Sequence, residues 1–285
     1  MAQIINTNMV SLNAQRNLST TNADVATAVQ RLSSGLRVNS AKDDAAGLAI
    51  AERMQTQIKG MNVAIRNAND GISFGQVAEG ALGKMGDMLQ RMRELAVQSA
   101  NGTNSDSDRA NLDAEYQQLA TEISRTVQNT RFNGFAVLAS VTAHTFHIGA
   151  GNDANDRITM TSTNMTTAAT MTALFDFATP PGAAPSNILT QAASQAVLPQ
   201  IDDALTTINS ERANFGAIQN RFEAVIENLQ VAAENQTAAR SRIMDADFAA
   251  ETAALTRAQV LQQAGTAMLA QANQLPNNVL QLLQR

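Results

Sequence analysis

Apolar residues near the C-terminal end of the chain recur at alternating intervals of four and three residues. The positions that follow this spacing are Ala254, Ala258, Leu261, Gly265, Met268, Ala272, Leu275 and Val279. Such a heptad pattern is typical of a helix that packs against another helix. Near the N-terminal end the same rule is followed by Leu18, Val25, Val29, Leu32 and Leu36. We therefore expect the two terminal helices to pack together and then against further copies of the chain.

The polar positions around these seams lack charge. Residues 258–284 contain no charged side chain, and neither do the first 15 residues. A membrane span of this length would be almost wholly apolar, whereas this stretch is rich in Gln and Asn. A helix on the surface of a globular protein usually carries charge on its outer face. The pattern favours a self-assembling chain over the alternative, an ordinary amphipathic pair on one globular core.

The rest of the chain also predicts long helices. Spacings of three and four residues run through residues 58–96, in a helix that a capping box of Ser40 and Asp43 would start. Apolar residues recur every seven positions across residues 201–229. A further helix begins at Ser105 or Ser107, each followed by acidic residues, and ends at Asn133-Gly134.

A small region between these helices has a different pattern. Residues 144–148 and 158–163 are short β-prone runs separated by a turn-rich stretch, which predicts a hairpin. Residues 159–198 are rich in Thr, Ala and Ser and contain three prolines, so we expect a surface segment that contributes little to the core. The predicted fold is mainly α: a long antiparallel coiled-coil or helical-bundle hairpin with both termini together and a small middle region that contains the β-hairpin.

Composition narrows the possible functions. The net charge is −5, aromatic residues make up 4% of the chain and there is no cysteine. We expect no nucleic-acid partner, because a basic surface is absent. Disulfides and thiolate metal sites are excluded as well. The N-terminus does not read as a cleaved signal peptide, and no segment predicts a membrane partner.

No residue pattern predicts catalysis. His144 and His147 are three residues apart, so in a strand they would face opposite sides, which is poor geometry for sharing a metal. Asp106 and Asp108 begin like a calcium loop, but the required glycine is missing. The sequence contains no nucleophile elbow. We therefore predict a protein that is not an enzyme and that has no catalytic residue, cofactor or metal site.

Several long blocks resemble bacterial flagellin, the subunit of the flagellar filament. They are MAQIINTNMVSLNAQRNL, RLSSGLRVNSAKDDAAGLAIAERM, QRMRELAVQSANGTNS, RFNG, IQNRFEAVIENL and the block that runs from ENQTAARSRIMDADF to PNNVLQLL. The resemblance covers about residues 1–140 and 200–285. The short middle implies a form of the family that lacks the large outer domains.

The resemblance implies a division of the chain into domains. Residues 1–43 and 244–285 would form the two halves of an inner coiled-coil tube domain. Residues 44–140 and 199–243 would form the halves of an outer helical domain, with residues 141–198 as the β-hairpin and Thr/Ala/Pro-rich surface segment.

The resemblance also implies a location and a route. The protein would be extracellular, in the bacterial flagellum, and would leave the cell unfolded through the flagellar type III apparatus without a cleaved signal peptide. It would assemble as a helical homopolymer used for swimming and would contact the filament cap and the hook-filament junction proteins.

Two recognition surfaces follow from the resemblance. The monomer would be a ligand of host Toll-like receptor 5. The residues that would contact the receptor are Gln90, Arg91, Arg93, Glu94, Leu95, Gln98, Glu115, Ile201 and Leu205. The alternative is that these residues only make lateral contacts in the filament, although the two roles are compatible. A flagellin export chaperone would wrap residues 250–285, with Leu261, Met268, Leu275 and Leu280 in its groove.

Two other functions compete with a filament subunit. A hook-filament junction protein shares the terminal coiled-coil plan, and a coiled-coil binding or sensory module would use the same heptads. The inner-tube positions that we expect to support polymerisation are Leu18, Val25, Val29, Leu32, Leu36, Ala254, Leu261, Met268, Leu275 and Leu280.

Overall fold

The chain folds into six helices and two small antiparallel strand pairs within the described residues. The structure is a computed structural model that describes residues 7–141, 143–177 and 184–283, with side chains as far as residue 274. The helices are α1 (Met9–Ser34), α2 (Ala45–Ser99), α3 (Asp106–Asn129), α4 (Ala169–Thr172), α5 (Gln191–Met244) and α6 (Phe248–Leu283). The strands are β1 (Arg131–Phe132), β2 (Phe135–Ala136), β3 (His144–His147) and β4 (Arg157–Met160). The predicted mainly α fold with a small β-hairpin region is confirmed.

The chain divides into two compact units. Unit 1 comprises Met1–Thr56 and Glu234–Arg285, and unit 2 comprises Gln57–Ala233. The predicted division after residue 43 and before residue 244 concerns the domains of an assembled subunit, and it stays a prediction.

Unit 1 is built on the antiparallel pair of α1 and α6. Gly35 ends α1 in the left-handed conformation, with φ of 70°, and its N–H donates to the Arg31 carbonyl oxygen. Glycine suits this position because it has no Cβ to clash at positive φ. After this turn the Arg37 N–H donates to the Met244 carbonyl oxygen over 2.7 Å. Val38 and Met244 are buried in a small apolar cluster, so the segment after α1 and the end of α5 meet within unit 1.

The helix α2 begins later than the sequence pattern predicts. The Asp43 carboxylate accepts hydrogen bonds from the N–H groups of Asn39 and Ser40, which stabilises a turn and not a helix start. The Asp44 carboxylate accepts from the Gly47 N–H over 2.8 Å, which is the bond of an N-cap residue. The capping box at Ser40 and Asp43 was therefore wrong, and Asp44 caps α2.

Unit 2 holds the main hydrophobic core. Three helices contribute fully buried side chains to one cluster. These side chains are Leu82, Met85, Leu89 and Met92 on α2, Tyr116 and Ile123 on α3, and Phe215 and Phe222 on α5. The three-and-four spacing of these residues places them on the inner faces of long helices. The helical periodicity read from residues 58–96 and 201–229 thus corresponds to core packing in this unit.

The third helix ends earlier than expected, at Asn129. Asn133 and Gly134 have positive φ angles of 48° and 83° and form the turn between β1 and β2. Two successive residues with positive φ are the requirement of a tight hairpin turn, which explains the Asn-Gly pair. The prediction that this pair ends the helix was wrong. The predicted hairpin, in which His144 pairs with Met160 and His147 with Arg157, is present.

The end of β4 and the segment after it contribute to the core. Met160, Met165, Met171, Leu174, Phe175 and Ile188 are all buried. The expectation that residues 159–198 add little to the core was therefore wrong for these apolar side chains. Composition misled because the segment's few large residues are the ones that face inward. Pro180 and Pro181 lie outside the described residues.

Candidate functional site

The contact between α1 and α6 follows a register that the sequence predicted only in part. Ala258 and Ala272 are buried, and an ideal Cβ on Gly265 would lie 3.3 Å from Leu18 Cδ1. These three positions of the predicted seam do face α1. The heptad spacing is correct for them, and the small residues allow the helices a close approach.

The alternate positions of the predicted seam face elsewhere. Leu261 and Met268 are 53% and 62% exposed, and Ala254 is exposed as well. The less exposed residues of α6 that replace them beside α1 are Glu251, Leu255, Gln262 and Leu269. The intrachain seam predicted through Ala254, Leu261 and Met268 was therefore wrong. Each heptad of α6 carries apolar residues on two faces of the helix. The sequence pattern alone therefore did not distinguish the face that packs against α1.

On α1, most of the predicted seam is partly buried. Leu18, Val25 and Leu32 face α6, and Leu36 lies just beyond the helix in a bridge to Asp245. Val29 is 49% exposed and is the exception. The side chains of Leu275 and Leu280 lie outside the described residues.

Polar contacts set the alignment of these two helices. The Asn8 amide donates to the Ala272 carbonyl oxygen over 2.7 Å, and the Ser11 hydroxyl donates to Asn273 Oδ1 over 2.8 Å. The Gln262 amide donates to Asn22 Oδ1 over 2.8 Å. Arg31 Nη1 also lies 3.8 Å from Glu251 Oε2, so one ion pair joins the two helices. The other contacts, between amides and hydroxyls, specify the register without adding charge.

Unit 1 exposes a set of large apolar side chains, which we call the apolar outer set. Its members are Met9, Val10, Leu12, Val29, Val260, Leu261 and Met268, all at least 46% exposed. Single exposed apolar residues are normal, but a concentration of them on two helices indicates a contact surface.

A second candidate surface carries a row of ion pairs on unit 2. Arg91 Nε donates to Glu115 Oε1 over 2.8 Å and Arg91 Nη1 donates to Glu94 Oε2 over 2.9 Å. Arg93 Nε donates to Asp202 Oδ1 over 2.7 Å. The hydrogen bonds that Arg91 donates to Glu115 and that Arg93 donates to Asp202 raise the pKa of each arginine. The pairs orient two guanidinium groups at the surface and link α2 to α3 and to α5.

The predicted receptor residues separate into an exposed and a buried group. Gln90, Arg91, Arg93, Glu94, Gln98 and Glu115 are exposed, and Leu205 is partly buried. Leu95 and Ile201 are 1% and 0% exposed, so in the folded chain they hold the helices together and cannot present a side chain to a partner. The sequence missed Val97, which is 50% exposed in a shallow groove beside Arg93 and Glu94, and Asp202, the partner of Arg93. The only feature of the sequence that could have identified Val97 and Asp202 is that each is adjacent to a predicted residue.

The two histidines lie in the β3 strand within unit 2. His147 Nε2 is 2.8 Å from the Gly151 carbonyl oxygen, and the His144 ring lies 4.8 Å from the Phe74 ring. Among the described residues no group of three potential metal ligands occurs. Nor is any described helix long and apolar enough to span a membrane.

Two family models match the chain. Residues 5–143 match the bacterial flagellin N-terminal helical region, and residues 198–283 match the bacterial flagellin C-terminal helical region. The chain belongs to the bacterial flagellin family. Flagellins are structural filament proteins, so this flagellin is not an enzyme.

Full-length relatives agree with this assignment. This flagellin is 45% identical to the flagellin of Halalkalibacterium halodurans, over 98% of this chain and 99% of the relative. It is 44% identical to the flagellar filament 33 kDa core protein of Treponema phagedenis, over 98% and 99% of the two chains. The crystal structure of Bacillus cereus flagellin is 31% identical and has a TM-score of 0.49, covering 61% of this chain and 94% of that one.

The middle of this flagellin is short. The matched family regions leave out residues 144–197. Flagellin A of Vibrio anguillarum is 35% identical in an alignment that covers all of both chains and runs over 381 positions, against the 285 residues of this chain. The predicted short form of the family is confirmed.

Proposed function

We infer that this flagellin is a structural subunit of the bacterial flagellar filament and that copies of it contact each other through the apolar outer set of unit 1. The observation that carries this proposal is the exposure of Leu261 and Met268 within residues 258–284, a stretch that contains no charged side chain. Burying such a side chain against another copy would stabilise the contact by about 1–2 kcal/mol.

The small core of unit 1 supports the same inference. The buried residues of α1 are Ser11 and Ala28, and those of α6 within the described side chains are Ala258 and Ala272. None of these four is large, so the α1–α6 seam alone removes little apolar surface from water. Neighbouring copies would supply the missing burial.

Seeded elongation tests the proposal. We expect the double variant Leu261→Ser, Met268→Ser to elongate flagellar seeds at least tenfold more slowly than the unchanged chain, because about 2–4 kcal/mol of burial per contact would be lost. The matched control is Val231→Ser, an equally exposed apolar residue on α5 of unit 2. Equal elongation of the double variant and the control would contradict the assembly surface.

The subunit is proposed to leave the cell through the flagellar type III apparatus, with an export chaperone on residues 250–285 and with the cap and junction proteins at the filament ends. Leu261 and Met268 would then be shared between the chaperone and the neighbouring copy, so the chaperone would prevent polymerisation. Unchanged chaperone binding after deletion of residues 255–285 would contradict this role.

We further propose that the monomer is a ligand of Toll-like receptor 5, through the exposed members of the ion-pair surface. Arg91 and Arg93 support this because carboxylates already hold their guanidinium groups in place, which lowers the entropic cost of binding. We expect Arg91→Ala to reduce the response of a receptor reporter assay by about tenfold. Lys84→Ala, on the same helix, is the control, and a silent unchanged monomer would overturn the proposal.

A further inference from the structure

Unit 2 contains an aromatic pocket at the edge of its hydrophobic core, in which Phe74 is buried, and none of the lining residues belongs to the proposed contact surfaces. Its volume is about 580 Å³, and it lies between α2, the β1–β2 turn and β3. The rings of Phe74, Phe132, Phe135, Phe146 and His144 line it. The chain has nine phenylalanines in 285 residues, and four of them converge here. Such a concentration in a chain so poor in aromatic residues calls for a use beyond packing.

The rings are arranged around Phe74. Its ring centroid is 5.7 Å from that of Phe132, 4.8 Å from that of His144 and 6.1 Å from that of Phe146, all at steep interplanar angles. Phe135 packs edge-on against His144 at 5.7 Å and is 59% exposed. An exposed phenylalanine at the end of a ring cluster brings the aromatic surface to the solvent, where a ligand can reach it.

One carboxylate gives the pocket a charge. Asp70 lies one turn before Phe74 on α2 and lines the pocket, while no Lys or Arg does so. Within the described residues, no hydrogen bond or ion pair joins the Asp70 carboxylate to another group. Aromatic rings attract cations through their quadrupoles, and an unpaired carboxylate adds a direct charge. Asp70 is exposed to solvent, so a cation bound against the rings would meet this carboxylate at the same time.

We propose that this pocket binds a guanidinium-type organic cation. The planar guanidinium group suits it because that group stacks on aromatic rings and donates to a carboxylate at the same time. The source could be a free small cation or an arginine side chain of a second copy, since 17 of the chain's 20 basic residues are arginine.

Titration of the monomer tests the pocket separately from filament assembly. The probe is N-acetyl-arginine amide, and N-acetyl-citrulline amide is its neutral isostere. The readout is ¹⁹F NMR of the chain labelled with 4-fluorophenylalanine. We expect saturable shifts at Phe74, Phe132, Phe135 and Phe146 with the arginine probe only, and a dissociation constant of roughly millimolar order.

Two variants identify the groups that bind. Asp70→Asn should weaken the binding of the arginine probe by about threefold, and Phe135→Ala should weaken it by about fivefold. Asp87→Asn is the matched control, because Asp87 is an exposed carboxylate of α2 that is paired with Lys84 outside the pocket. Equal shifts with the citrulline probe, or equal binding by the Asp70 and Asp87 variants, would overturn the proposal.

Seeded elongation then distinguishes the two sources. If an arginine of a neighbouring copy fills the pocket, Asp70→Asn will slow elongation relative to Asp87→Asn, and the arginine probe will inhibit elongation of the unchanged chain. If both variants elongate equally while the monomer still binds the probe, the ligand is a free cation. Loss of probe binding alone leaves the filament proposal intact, so the two proposals fail separately.

Discussion

At the scale of single residues, the glycines of α2 have two different roles. An ideal Cβ on Gly71 would lie 2.6 Å from Phe222 Cζ, whereas a Cβ on Gly83 would meet nothing within 4 Å. The sequence alone made these glycines look equivalent, because each lies within a long helical pattern. Only the packing of α5 against α2 shows that Gly71 is required.

This difference predicts opposite effects of one substitution. Gly71→Ala should destabilise unit 2 by about 1–3 kcal/mol, because the buried Phe222 ring cannot move aside. Gly83→Ala should stabilise it by up to about 1 kcal/mol through helix propensity. Urea unfolding followed by the fluorescence of the chain's single tyrosine, Tyr116, measures both. Shifts of the midpoint in the same direction would contradict this account.

Tyr116 predicts a dependence of stability on alkaline pH. Its burial raises the pKa of the phenol to about 12 from the ordinary 10, and the Asp113 charge acts in the same direction, against a hydrogen bond with Ser186. The unfolded chain therefore releases this proton first, and stability should fall as the pH rises from about 10 to about 12. Over this pH range, the melting temperature measured by circular dichroism should fall less for Tyr116→Phe than for the unchanged chain. Parallel curves for the two proteins would refute the assignment.

At the scale of elements, the start of α3 could be narrowed from the sequence to two serines. The structure selects Ser105, whose hydroxyl accepts from the Asp108 N–H over 3.2 Å while the Asp108 carboxylate accepts from the Ser105 N–H over 3.0 Å. These two reciprocal hydrogen bonds form a capping box. The Ser105 hydroxyl, which donates to Asp108 Oδ2 over 2.6 Å, lowers the pKa of Asp108 most, and the Ser105 N–H lowers it further. At acid pH the Asp108 carboxylate becomes protonated and no longer serves as the charged acceptor of the bond from the Ser105 N–H.

Removing the cap should therefore destabilise α3. We expect Ser105→Ala to lower the free energy of unfolding by about 1 kcal/mol at neutral pH. Ser107→Ala is the control, because its exposed side chain makes no cap. The difference in stability between the two variants should become smaller as the pH falls below the ordinary pKa of an aspartate carboxyl group. Thermal melts at pH 7 and pH 3 measure it, and equal melting temperatures at pH 7 would exclude a capping role for Ser105.

At the scale of the whole molecule, the two units differ in how much apolar surface each buries. Unit 2 contains fully buried Leu82, Phe215 and Phe222, whereas the seam of unit 1 rests on Ala258, Gly265 and Ala272. Fewer buried contacts predict easier local opening. In the filament, neighbouring copies would cover the apolar outer set.

Hydrogen exchange should show this difference. In the monomer, we expect amides of α1 and α6 to exchange at least a hundredfold faster than those of α3, and to become protected on polymerisation. Exchange with mass-spectrometric detection of peptides measures both states. Comparable protection of α1 and α3 in the monomer would mean that unit 1 is stable without neighbours.

The family, the helical class and the existence of heptad seams could be predicted from the residues alone, because local spacing and long matching blocks carry that information. The face of α6 that meets α1, the exposure of each predicted receptor residue and the place of Met165 and Leu174 in the core became known only from the fold. These outcomes depend on what lies opposite a residue. Leu95 and Glu94 are neighbours in sequence, yet packing against other helices buries the first and leaves the second in solvent.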